Sequence, residues 1–239
     1  MNQKYSSKSA ICMARQKVGW AFLRKILHRL ASDIGSQSNS KFLWKGHNIF
    51  SIDGSKLNLP KELRSIKYRK PNKGSYYPQG MMSTLFHLKL KIPYNYCFSR
   101  NMSEHAQVLR HLRCVPSNSV IVYDRGYFSL DLLKSHQKTN VHGVFRLRTK
   151  GIAVLAEISK FYKSKKKDQV IEVVRKNVKI LMRFVRYKVK GQTYYLATTL
   201  TNKEKYPISA LKNLYYSRWG IEESFKFLKQ NLSFEKFHS

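Results

Sequence analysis

The stretch SVIVYDRGYFSLDLLKSHQKTNVHGVFRL, Ser119–Leu147, decides the fold. Ser119–Tyr123 is a short apolar strand ending at Asp124, Ser129–His136 has helical spacing, and Val141–Leu147 is a second strand. Strand, helix and strand in that order form a βαβ unit, whose two strands run parallel. The chain upstream has a different texture. Ile49–Asp53 reads as a buried strand stopped by Gly54, and Met82–Leu90 and Tyr94–Phe98 as the next two, turning at Lys91-Ile92-Pro93. These three suggest an antiparallel meander, so the whole predicts an α/β fold with a mixed sheet. Ser103–Arg113 reads as a helix with Ser103 as N-cap and Ala106, Leu109 and Leu112 on one face.

Further domain organisation follows from texture. Ser9–Leu30 carries helix-period apolar residues among Arg and Lys, and Gly35–Lys41 is a Ser-rich linker, which sets 1–46 apart as a basic helical segment from a domain at 47–239. Within that domain Val170–Val174, Val178–Val189 and Thr193–Leu200 are rich in β-branched and aromatic residues, a β-rich insertion spanning about 149–200. The chain closes with a long helix at about Pro207–Asn231.

Composition narrows the function classes. The 239 residues are 42% hydrophobic, enough for a core, and 46 Lys and Arg against 13 Asp and Glu give a net charge of +33. Such charge attracts polyanions, nucleic acid first. There is no apolar run of about 18 residues and no signal-type core after Met1–Ser9, which points to a soluble cytoplasmic protein without a membrane role. Cys12, Cys97 and Cys114 have no C-x-x-C spacing and read as buried free thiols. The histidines, His105 and His111 included, lack metal-ligand spacing.

With so few acids, a carboxylate beside an apolar strand calls for a reason, because an isolated buried charge is costly. Asp53 and Asp124 each follow such a strand and precede a Gly-containing turn. Taken singly, turn capping and a functional role both remain open. The closing helix adds a third acid. At about 100° per residue, Tyr215, Arg218, Glu222 and Lys229 fall within a stripe about 60° wide, directly beside the apolar stripe of Leu214, Ile221, Phe225, Leu228 and Leu232. A merely solvated face would lie opposite the apolar one. Two aspartates and a glutamate are hard oxygen donors suited to Mg²⁺ or Mn²⁺, and Tyr215, Arg218 and Lys229 are donors suited to phosphate.

The stripe within YYSRWGIEESFKFLKQNL, Tyr215–Leu232, is similar to the Y-x2-R-x3-E-x6-K signature of the DDE transposases of bacterial insertion sequences, the IS-four group. IDGSKLNLP around Asp53 and VIVYDRGYFSLDLL around Asp124 resemble that family's two aspartate motifs, in the same order, and SAICMARQKVGWAF from Ser9 resembles its pre-catalytic helix. The resemblance implies an RNase H-like core with a β insertion between the second Asp and the Glu. It implies a catalytic and metal-binding triad of Asp53, Asp124 and Glu222, two Mg²⁺ ions replaceable by Mn²⁺, and cut-and-paste transposition on double-stranded DNA, element ends and target, by a homodimer. Members also carry an end-binding region before the point where this chain begins and further helices after Ser239, so the chain reads as truncated at both ends. Some relatives stack a flipped base on a tryptophan in the insertion. Trp20, Trp44 and Trp219 all lie elsewhere, and strand context assigns Tyr194 and Tyr195 to packing.

Between the first two strands, Lys67, Arg69 and Lys73 interleave with Tyr68, Tyr76 and Tyr77, a pattern suited to backbone phosphate contact plus stacking, or to a solvated loop. Glu104 reads more simply as helix N-terminal charge. Two other readings compete: a catalytically inert DNA-binding remnant, and a basic structural nucleic-acid-binding protein in which the carboxylates have no role.

Overall fold

The computed structural model describes residues 7–36, 40–100, 103–149, 155–175 and 178–231. The chain divides into two compact units, Met1–Ser38 and Asn39–Ser239.

The first unit holds α1 (Lys8–Lys17) and α2 (Trp20–Ser36). Ser7 caps α1, its hydroxyl accepting from the Ala10 amide at 3.1 Å. Helical periodicity runs through Ser9–Leu30, yet Val18 takes an extended conformation and separates two helices. A β-branched residue followed by Gly19 is a weak helical pair, so the break falls there. α2 runs on through Gly35 into the expected linker, of which residues 37–39 lie outside the described ones.

The second unit is built on one sheet of eight strands: β1 (Asn48–Asn58), β2 (Gln79–His87), β3 (Ile92–Ser99), β4 (Ser119–Tyr123), β5 (His142–Arg146), β6 (Asp168–Arg175), β7 (Val178–Val189) and β8 (Gln192–Thr198). Their order is β3-β2-β1-β4-β5-β8-β7-β6. β1, β2 and β3 pair antiparallel, β1, β4 and β5 parallel, and β8, β7 and β6 extend the sheet antiparallel from β5. The expected mixed α/β sheet is thus present, and the β-rich insertion lengthens that sheet. Flanking helices are α3 (Glu104–Leu112), α4 (Leu130–Thr139), α5 (Ala156–Lys163), α6 (Ile208–Ser217) and α7 (Trp219–Gln230).

Every residue of β4 is buried, as a central parallel strand covered on both faces requires. α4 starts where the Ser129 hydroxyl accepts from the Leu132 amide at 3.3 Å and ends at Asn140, whose φ of 49° is left-handed. Ile49, Val120, Val122, Val144, Leu196, Leu214, Ile221 and Phe225 share one core, which seats α6 and α7 on the sheet.

Four expectations are corrected. β1 does not stop at Gly54 but continues to Asn58, because its antiparallel ladder with β2 persists from Phe50 to Asn58. α3 buries Gln107, Val108, His111 and Leu112, while Ala106 and Leu109 are exposed. Its buried histidine finds partners inside: His111 Nε2 lies 3.1 Å from Ser83 Oγ and Nδ1 3.3 Å from Asn95 Nδ2. The closing helix divides at Arg218, where the hydrogen bonds tighten to Arg218 N with Tyr215 O (3.2 Å) and Ile221 N with Arg218 O (3.1 Å). The cysteines are free but not buried: Cys12 is exposed, and Cys97 and Cys114 are half-buried. Tyr194 and Tyr195 do pack, Tyr194 stacking on Tyr187 with centroids 5.6 Å apart and Tyr195 meeting Tyr162 at 4.5 Å.

Candidate active site

The parallel pair β1 and β4 ends its register at Ser51 opposite Val122. Two residues further along each strand stand Asp53 and Asp124, so the two acids project from the same level. Beyond that level β1 stays paired with β2 alone, Asp53 lying opposite Thr84, and β4 has ended. A crevice therefore opens at the carboxyl ends of adjacent parallel strands, where α/β sheets bind ligands. In β5, Phe145 pairs with Tyr123, which sets Arg146 beside Asp124.

The helical residues reach the crevice from α6 and α7. The Tyr215 hydroxyl donates to Asp124 Oδ1 at 3.0 Å. Arg218, 5% exposed, places Nη1 3.5 Å from Asp53 Oδ2 and donates from Nη2 to Glu222 Oε1. Its Nε is buried without a hydrogen-bond partner among the described residues. Lys229 Nζ donates to the Lys56 carbonyl at 2.8 Å, tying α7 to β1. Asp53, Asp124, Tyr215, Arg218 and Glu222 are thus gathered from motifs far apart in the chain. Lys67, Arg69 and Lys73 are not in that cluster; they are exposed on the loop before β2, which is held by Gln79 N on Arg69 O (2.9 Å) and by Arg100 on Ile66 O (2.9 Å).

Arg146 is a site residue that sequence reasoning missed. Its guanidinium lies 4.8 Å from the Tyr194 ring centre and 5.9 Å from that of Tyr215. The readable signal was a cation at the end of the strand following the one that ends at Asp124.

The electrostatics of the two aspartates diverge. Burial raises the Asp53 carboxyl from 3.8 to about 6; the Gly54 amide and Arg218 oppose this, and the charges of Glu104 and Glu222 add to it. Burial also pushes Asp124 upward, but the Arg125 amide, Arg218, the Tyr215 hydroxyl and Arg146 together hold it below the ordinary range. Tyr215 is pushed up to about 12, by burial and then by Asp124. Burial works against the Arg218 charge, yet Tyr215, Asp124 and Glu222 outweigh it and the guanidinium holds its proton more firmly than usual.

A carboxyl whose folded pKa exceeds its unfolded one binds extra protons in the native state, so stability falls as pH rises from about 4 through about 6. In metal-free protein Asp53→Asn is therefore expected to be stabilising at pH 7.5, by up to about 3 kcal/mol, with the gain shrinking towards pH 4. Thermal unfolding of both chains in chelator at several pH values checks this; a difference that does not vary with pH refutes it.

Among the described residues no group of three or more His, Cys, Asp or Glu side chains already sits closely enough to hold a metal ion. The Arg218 cation lies between Asp53 and Glu222 instead. The donor set nonetheless suits a hard divalent cation: Asp53, Asp124 and Glu222 offer carboxylate oxygens around one crevice.

Comparison with known proteins gives the family. Residues 44–239 match the family described as the transposase DDE domain, which generally implies a divalent metal. The chain is 24% identical over 246 aligned residues to the transposase InsG for insertion sequence element IS4 of Escherichia coli (strain K12), covering 97% of this chain and 55% of that protein. It is 31% identical over 135 residues to a second protein of that strain, InsZ, covering 53% of this chain and 44% of InsZ. It thus spans about half the length of these curated relatives. Among solved structures, the piggyBac transposase synaptic complex with hairpin DNA aligns over 76% of this chain and 40% of that one, at 16% identity and a TM-score of 0.48. By the match over residues 44–239, the chain belongs to the transposase DDE domain family.

Proposed function

We propose that residues 47–239 form the catalytic domain of a DNA transposase, one that cleaves DNA at insertion-sequence ends and joins those ends to target DNA. The observation that carries this reading is the Arg218 bridge between Asp53 and Glu222, with Asp124 just past the end of the neighbouring strand. Carboxylates from three distant stretches of chain meet around a positive charge.

In this reading Asp53, Asp124 and Glu222 hold two Mg²⁺ or Mn²⁺ ions. Bound there, such ions supply an activated water or 3′-hydroxyl and stabilise the leaving oxygen of an in-line displacement. Arg218, released from the carboxylates, turns its planar fork to a phosphate, and Lys229 adds a point charge. Tyr215 keeps Asp124 oriented, and Arg146 keeps Tyr215 in place. Lys67, Arg69 and Lys73 grip the backbone of double-stranded DNA without reading its sequence. Two such chains act together on the paired ends, in the cytoplasm and at the nucleoid when bound to DNA. Among the described residues no helix is long and apolar enough to cross a membrane.

Nicking and joining of short duplexes in Mg²⁺ or Mn²⁺ test the proposal. Tight, metal-independent binding without any cleavage would replace it with the DNA-binding remnant. The basic loop makes a separate expectation: log affinity falls linearly with log salt, by about 0.9 for each phosphate neutralised. Replacing Lys67, Arg69 and Lys73 by Ala is expected to flatten that slope by roughly 1 per lost contact, measured by fluorescence anisotropy. An unchanged slope would remove the loop from the interface.

A further inference from the structure

Thr84 is 1% exposed, and its hydroxyl oxygen is buried without a hydrogen-bond partner among the described residues. It stands in β2 directly opposite Asp53. Residues opposite each other in an antiparallel ladder share a face, with Cβ atoms about 5 Å apart. On that face the neighbours two residues away along β2 are Met82 and Phe86, both part of the core that seats Ile221 and Phe225 of α7. Valine would suit such surroundings, having the same branched shape and no polar atom to strand. A hydroxyl kept there at a cost in stability calls for a partner that the resting arrangement withholds.

Two groups of the site are left short in the same way. Asp53 Oδ1 accepts from the Gly54 amide at 2.9 Å, while the contact of Oδ2 with Arg218 Nη1 is 3.5 Å long, beyond the roughly 2.7–2.9 Å of a firm charge-assisted bond. Arg218 Nε is buried with no partner among the described residues. An underused carboxylate oxygen and an unused donor hydroxyl therefore lie one ladder step apart. A carboxylate oxygen offers two lone pairs, so Oδ2 can accept from a hydroxyl and still bind a cation.

We infer that Thr84 is a positioning residue for Asp53: when the carboxylate exchanges Arg218 for a divalent cation, the Thr84 hydroxyl donates to it and fixes the direction of its metal-binding oxygen. The inference rests on the metal-dependent reading above. Carboxylates that bind metals are themselves held by hydrogen bonds, and losing such a support costs about 10–100-fold in affinity or activity. The Gly54 amide holds one oxygen of Asp53 from the backbone, and Thr84 holds the other from the neighbouring strand.

Calorimetric titration of the full chain with Mn²⁺, together with melting in chelator, tests the inference on two variants. Thr84→Val keeps the shape and removes the hydroxyl, whereas Thr84→Ser keeps the hydroxyl. Thr84→Val is expected to bind Mn²⁺ about tenfold more weakly or worse, while melting in chelator at or above the wild type. Thr84→Ser is expected to bind Mn²⁺ close to the wild-type affinity. If Thr84→Val binds Mn²⁺ like the wild type while Asp53→Asn does not, or if Val and Ser weaken it equally, the proposal is overturned. A Thr84→Val chain that melts well below the wild type would show the hydroxyl already bonded in the metal-free fold, and overturns it too. If the wild type itself takes up no Mn²⁺, the metal reading falls and takes this one with it.

Discussion

Replacing Asp124 by Asn is expected to slow Mn²⁺-dependent nicking of duplex DNA by about 10³-fold, while the variant still melts cooperatively and still binds DNA. The substitution is isosteric and keeps an oxygen for the Tyr215 hydroxyl, which now sits 3.0 Å from Asp124 Oδ1. What it removes is the negative charge that the Arg125 amide, Arg218, Tyr215 and Arg146 hold ionised against the pull of burial. In the proposed chemistry that charge is a metal ligand, and metal stabilisation of the transition state is worth several kcal/mol, with each 1.36 kcal/mol a factor of ten. The comparison requires single-turnover rates for both chains at saturating Mn²⁺. A variant within a few fold of the wild type would dismiss Asp124 as a turn-capping residue and sink the triad.

The second large effect concerns stability. Arg183 is fully buried, its Nε and Nη2 gripping Asp168 Oδ1 and Oδ2 at 2.9 and 2.7 Å, and its Nη1 donating to the Tyr206 carbonyl at 2.7 Å. The side chain thereby pins the β6–β7 hairpin to the turn before α6, the helix that carries Tyr215. Removing Arg183 leaves Asp168, 19% exposed, with only Lys203 at 3.9 Å and leaves the Tyr206 carbonyl without its donor, at a cost of about 3 kcal/mol, the low end for a buried pair. Against a total stability of about 5–15 kcal/mol, Arg183→Met should lower the melting temperature by roughly 10 °C. Because the desolvation cost of the pair disappears with it, the double change Arg183→Met, Asp168→Leu should recover most of the loss. Urea unfolding of the three chains decides it, and a single variant weaker by less than about 1 kcal/mol would show that the pair contributes little.

Sequence reading succeeded where one physical signal dominated. β4 and β7 have the expected bounds, Ser119–Tyr123 and Val178–Val189, because β4 is an apolar run after its first residue and β7 is dense in β-branched, aromatic and other apolar residues between its cations. The cluster of Tyr215, Arg218 and Glu222 was legible because helical spacing lines up residues several turns apart. It failed where tertiary context decides. Gly54 looked like a stop, but only the β2 ladder and the packing of Glu104 reveal why a glycine stands inside a strand. The buried face of α3 was misread because His111 and Gln107 are polar, and the partners that make His111 tolerable inside belong to β2 and β3. Arg146 went unseen because its relation to Asp124 depends on strand register, which spacing along the chain does not encode.

That register also governs how the gene can change length. The two aspartates stand level because Asn48–Ser51 and Ser119–Val122 are in step. Inserting or deleting one codon in either short run would turn its carboxylate to the opposite face of the sheet. The same edit in the loop before β2 or in the turns of the β insertion would leave both acids where they are. If the proposed function holds, indels should therefore accumulate in those loops among copies that keep the activity, and a single-codon slip inside β1 or β4 should mark a copy that has lost it.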